Sequence, residues 1–105
     1  TMSVGNYRFD VSNRMLVYGS QTETLTDKET RLLSILLDGK NEIQNREYLM
    51  NELWAESGIM VVSKNLDVLV SRLRKKLSLD KNIKISSVHG VGYKLEVSND
   101  QNGVS

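Results

Sequence analysis

A chain of 105 residues with 39% hydrophobic and 26% charged side chains is sized for one globular domain and leaves no room for a second core. The absence of cysteine excludes a disulfide framework, a cysteine zinc site and thiol catalysis. A single histidine leaves little from which to build a His-based triad or a multi-histidine metal site, so no cofactor is expected. The net charge of +1 conceals a contrast: positions 64–94 hold eight basic and two acidic residues, and the remainder six basic and eleven acidic. The C-terminal half is therefore suited to face a polyanion.

In chain order, positions 4–25 read as short strands. Tyr7, Phe9 and Val11 alternate with polar neighbours, as do Leu16 and Tyr18, with turn residues at Asn13 and Gly19-Ser20. A small antiparallel sheet follows from that pattern. Thr26-Asp27-Lys28-Glu29 is a capping box opening a first helix. Leu32, Leu33, Ile35, Leu36 and Leu37 supply its buried face, and Gly39 is a candidate left-handed stop. Asn45 caps a second helix whose apolar residues Leu49, Met50, Leu53 and Trp54 recur at helical spacing. Residues 55–61 break the pattern at Gly58 and read as a loop. Ser63 caps a third helix reaching about Leu77. Then Ile83, Ile85 and Val88 lead through His89-Gly90-Val91-Gly92 into Tyr93, Leu95 and Val97, two strands joined by a Gly-x-Gly turn. The expected architecture is α+β: a winged helix-turn-helix with an N-terminal antiparallel sheet, three helices and a C-terminal β-hairpin wing. The domain spans 1–97, and 98–105 is a polar tail with nothing to bury.

The third helix has two distinct faces. At about 100° per residue, Leu66, Leu69, Val70, Leu73 and Leu77 form one core stripe. Lys64, Asn65, Val68, Ser71, Arg72 and Lys75 lie opposite, with no acid among them. Arg and Asn can read base edges, Lys pairs with phosphate, and an aliphatic group can meet a thymine methyl. Asp67, Arg74 and Lys76 fall on the flanks, where orienting one another or touching the phosphate backbone is the better assignment. At the hairpin, Gly90 and Gly92 permit a tight tip, and His89 beside it can enter a narrow A·T minor groove. The alternative is a solvated basic face and an idle loop histidine.

The run from Ser63 through Leu77, followed by Val88-His89-Gly90-Val91-Gly92-Tyr93, resembles the OmpR/PhoB-type effector domain of bacterial two-component response regulators. Leu25-Thr26-Asp27-Lys28-Glu29 with Leu32-Leu33, and Arg46-Glu47-Tyr48-Leu49 with Leu53-Trp54, extend the resemblance to the first two helices. It covers about 4–97, nearly the whole chain.

The resemblance implies sequence-specific binding of double-stranded promoter DNA, with the third helix in the major groove and the wing in the minor groove. By position, it gives Arg72 and Val68 base contacts and sets Asn65 near bases, while Lys64, Arg74 and Tyr93 contact the DNA backbone. Trp54 matches an indole that donates to phosphate, although its spacing equally suits a core aromatic. Glu56, Ser57, Gly58, Ile59 and Met60 match a loop that touches RNA polymerase in some members. Ser71 stands where many members carry a basic residue, Asn65 where threonine is frequent, and His89 where arginine is common. The family further implies a cytoplasmic parent with a receiver domain and a sensor kinase, and binding to direct-repeat half-sites by a chain that is a monomer in solution. At this length the chain reads as an isolated effector domain. Two other readings share its features: a winged helix that contacts an acidic protein, and the effector domain of a membrane-anchored one-component regulator.

Overall fold

Two antiparallel sheets bracket three helices in a computed structural model that describes residues 2–54 and 63–97, with the side chains of Ser63 and Lys64 outside the description. The order is β1 (Met2–Val4), β2 (Tyr7–Asp10), β3 (Met15–Tyr18), β4 (Gln21–Thr24), α1 (Asp27–Asp38), β5 (Ile43–Asn45), α2 (Arg46–Trp54), α3 (Ser63–Lys76), β6 (Ile83–Val88) and β7 (Gly92–Val97). Strands β1 to β4 form a meander, and β5, β7 and β6 form the second sheet in that order. This is the winged-helix arrangement expected from the sequence. Among the described residues no helix is long and apolar enough to cross a membrane.

Two of the three reversals in the first sheet are two residues long, and the link from β2 to β3 takes four, 11–14. Gly5 and Gly19 each open one of the two-residue turns at positive φ, which glycine adopts without steric cost. Tyr7, Phe9 and Leu16 point into the core, so the period-2 pattern holds. Val11 does not continue it. The Asp10 carboxylate accepts from the Asn13 backbone N–H (3.1 Å) and from Asn13 Nδ2 (2.8 Å), turning the chain before Val11 can join β2 and leaving it exposed. Strand β4 has no buried residue, as suits an edge strand.

The capping box forms: Glu29 N–H donates to Thr26 Oγ1 (3.1 Å), and Thr26 N–H to Glu29 Oε1 (2.9 Å). Leu32, Leu33 and Leu36 are fully buried, whereas Ile35 and Leu37 are only partly so. Gly39 ends α1, but not in the left-handed conformation. Its φ is −107°, and the positive φ falls two residues later, at Asn41. A Cβ on Gly39 would lie 1.8 Å from Gln44 Nε2, the far end of a side chain that can move aside. The Asn45 cap on α2 is present, its Oδ1 accepting from Glu47 N–H at 2.8 Å.

The core stripe of α3 is buried as expected: Leu66, Leu69, Val70, Leu73 and Leu77 join one cluster with residues of both sheets and of α1 and α2. The end of α3 is bolted to the first sheet. Tyr7 Oη donates to the Lys76 carbonyl (3.2 Å) and accepts from Leu79 N–H (3.0 Å). The buried Asp80 carboxylate accepts from Asn6 N–H (2.7 Å) and Asn82 N–H (2.9 Å). In the hairpin, Val88 pairs with Gly92, so the tip is His89-Gly90-Val91 and Gly92 already belongs to β7. Gly90 supplies the positive φ. Gly92 serves a different end: a Cβ would sit 1.9 Å from the Gln44 carbonyl oxygen, so its bare Cα is what lets β5 lie against β7.

Candidate nucleic-acid interface

Helix α3 turns its acid-free face to solvent. Asn65, Val68, Ser71, Arg72 and Lys75 are all exposed, and Val68 keeps 41% of its surface. Arg72 and Lys75 have no ion-pair partner among the described residues, so both cations face outward. Arg74, Lys75 and Lys76 close the last turn, where cations offset the helix dipole. Lys64 lies on α3, its side chain outside the described residues, as are the loop residues Glu56, Ser57, Gly58, Ile59 and Met60 and the tail 98–105.

The flanks of α3 are built differently from its face. Lys76 Nζ donates to Glu29 Oε1 (2.8 Å) and to the Thr24 carbonyl (2.7 Å). It holds helix to helix rather than reaching outward. Arg74 Nε donates to the Ile85 carbonyl of the wing (2.9 Å), and its guanidinium lies 5.9 Å from the Tyr93 ring centre. Tyr93 is only 5% exposed, and its hydroxyl donates to Asp67 Oδ1. The same oxygen accepts from Arg46 Nη2, whose guanidinium sits 5.6 Å from the Tyr93 ring centre.

These contacts set the ionisation of the cluster. Hydrogen bonds from Tyr93 and Arg46 hold the Asp67 carboxyl below its usual range. The hydrogen bond to Asp67 raises Arg46. Burial pushes the Tyr93 phenol up, and its bond to Asp67 adds to that. The one acid on the exposed surface of α3 is thereby paired within the protein.

His89, Gly90 and Val91 form an exposed tip, closed by Val91 N–H donating to the Val88 carbonyl (2.9 Å). The structure thus brings Asn65, Val68, Ser71, Arg72 and Lys75 together on one helix face and carries His89 on the wing. Arg74 and Tyr93 lie between the two, tied to other protein groups. Trp54 is half-buried against the core, with the Lys28 ammonium 5.9 Å from its ring centre, so its core role is realised. Sequence reasoning placed Arg46 on the second helix without a role. Its partner Asp67 lies 21 residues away, beyond the reach of any local pattern.

Residues 20–95 match the family described as "Transcriptional regulatory protein, C terminal". The chain belongs to that family. Among curated relatives, it is 35% identical over 92 residues to the transcriptional regulatory protein RprY of Bacteroides fragilis, covering 88% of this chain and 39% of RprY. The chain therefore spans about two-fifths of that relative's length. Among solved structures, it is similar to the DNA-binding domain of Klebsiella pneumoniae RstA in complex with the RstA box (TM-score 0.73, 30% identity, 91% of this chain and 96% of that one). It is also similar to the C-terminal domain of the nisin resistance regulator NsrR (TM-score 0.77, 28% identity, 94% and 100%).

Proposed function

We propose that residues 1–97 bind double-stranded DNA sequence-specifically as the output module of a transcriptional response regulator. Helix α3 enters the major groove and the tip 89–91 the adjacent minor groove. The observation that carries this is the outward face of α3. Arg72 and Asn65 offer bidentate hydrogen bonding, Val68 an apolar contact and Lys75 a phosphate partner, with Asp67 already paired to Arg46. Lys64 adds a cation to the same helix by its position. Membership in a family of transcriptional regulators, and likeness to a domain solved on its DNA box, support the same reading. Arg74 and Tyr93 reach the phosphate backbone from within their protein contacts, and Trp54 from a half-buried site.

The rest of the reading concerns the longer parent. A receiver domain answering to a sensor kinase controls the module in the cytoplasm. Two chains, monomeric in solution, occupy direct-repeat half-sites about one helical turn apart, and the segment 56–60 meets RNA polymerase. The test is selection from a random duplex pool followed by a salt series on the enriched site. An enriched motif and a log–log salt slope several units steep support DNA recognition. No motif and a shallow slope favour an acidic protein partner instead.

A further inference from the structure

One residue touches every part of the bipartite reading surface. The Arg46 backbone N–H donates to the Val91 carbonyl in the wing tip (2.9 Å). Its guanidinium lies over the ring of Tyr93 on β7 (5.6 Å) and pairs with Asp67 on α3. Asp67 in turn accepts from the Tyr93 hydroxyl, and Arg74 of α3 reaches the Ile85 carbonyl of β6 (2.9 Å). The hairpin and the helix therefore share a small ionic and aromatic clamp whose centre is a single carboxylate. The geometry points to Arg46 and Asp67 as positioning residues that fix the offset between the wing tip and helix α3, so that major-groove and minor-groove contacts are made in one register. This rests on the DNA-binding reading above.

The charge of Asp67 makes the inference testable by sign. On long-range electrostatics alone, deleting an anion from a surface that faces phosphates tightens every duplex. If the carboxylate positions the wing, its loss has the opposite effect on the selected site. The assay is fluorescence anisotropy of the 105-residue chain on three duplexes: the selected site, the same site with its wing-side A·T tract replaced by G·C, and one with the α3-side bases altered. Asp67→Ala is expected to weaken the selected site about three- to tenfold. It should also erase most of the preference for the wing-side tract, while discrimination of the α3-side bases persists.

Tyr93→Phe removes one hydrogen bond of the clamp and no charge, and should give the same pattern more weakly. It carries the test if Asp67→Ala does not fold. Arg46→Lys keeps the charge without the planar fork and should also lose the wing-side preference, with the salt slope unchanged. A tighter selected site in Asp67→Ala overturns the proposal. So does a loss shared equally by all three duplexes, which would report general destabilisation. A fall of about one unit in the salt slope for Arg46→Ala would make Arg46 a phosphate contact and likewise overturn it. A wild-type chain that enriches no motif is a separate result: it removes the DNA-binding reading and the proposal with it.

Discussion

Replacing Lys76 by methionine separates a cation that holds the fold from one that would hold DNA. Glu29 is 1% exposed and accepts from Lys76 Nζ (2.8 Å) and Thr26 N–H (2.9 Å). Burial by itself would push its carboxyl up. The hydrogen bonds from Lys76 and Thr26 and the lysine charge outweigh that and hold it below the usual range. Lys76→Met leaves the carboxylate buried with one donor instead of two. Removing one partner of a buried pair costs about 3–5 kcal/mol. The low end applies, because the lysine side chain keeps 25% of its surface and is partly screened. A loss of about 3 kcal/mol is a large share of a domain's stability, and lowers the melting midpoint by roughly 12–20 °C.

The pH dependence has a fixed sign. A carboxyl depressed in the folded state contributes stability that is fully present above its unfolded value and is lost as pH falls through the folded one. Wild type should therefore lose this contribution below about pH 4.5, and Lys76→Met should lose little more there. The pair Glu29→Gln with Lys76→Met should recover part of the single-variant loss, since no buried charge remains. Urea and thermal denaturation read all of this, and a salt series on the folded variant should show an unchanged slope. A midpoint within about 2 °C of wild type, or a slope reduced by about one unit, would refute the structural assignment of Lys76.

On the reading face, Arg72→Ala should cost about 1–3 kcal/mol on the selected site and relax base choice there, while Lys75→Ala weakens all duplexes alike and reduces the salt slope by about one; binding selection on each variant separates the two outcomes. His89→Arg should tighten sites with a wing-side A·T tract and steepen the slope by about one, because arginine stays charged in a narrow groove; equal affinity for A·T and G·C tracts would make the tip a bystander. Gly92→Ala should destabilise by more than about 2 kcal/mol, since its Cβ would sit 1.9 Å from the Gln44 carbonyl oxygen, whereas Gly90→Ala meets open space and pays only for its positive φ, about 1 kcal/mol. Comparative melting measures that difference.

What could be read from the sequence was what depends on neighbours in the chain. The capping box at Thr26 and Glu29, the Asn45 cap, the core stripe of α3 and the hairpin around Gly90 are each written in residues a few positions apart. Non-local pairing left no such trace. Strand β5 is three residues with no buried side chain, and only its ladder to β7 makes it a strand. Gly92 looks like a turn residue but answers to the Gln44 carbonyl on β5, brought near by the fold. The exposed face of α3 could be inferred from periodicity, because helical geometry fixes it. The clamp of Arg46, Asp67 and Tyr93 could not, because its members come from three elements.

That distinction changes how the basic half of the chain is understood. Eight basic residues lie between positions 64 and 94, yet several are engaged within the protein. Lys76 holds Glu29 at 2.8 Å, Lys94 lies 3.4 Å from Glu96, and Arg74 is bonded to the wing at Ile85. On the described face of α3, the cations that point outward without an ion-pair partner are Arg72 and Lys75. A slope estimated from composition therefore overstates the number of phosphates this helix can neutralise. Few outward cations beside Asn65, Ser71 and Val68 make a surface whose selectivity depends on where each side chain is held. On such a surface the clamp between helix and wing matters beside total charge: attraction to phosphates carries no sequence information, so an error in offset is felt directly in the preference for the right site.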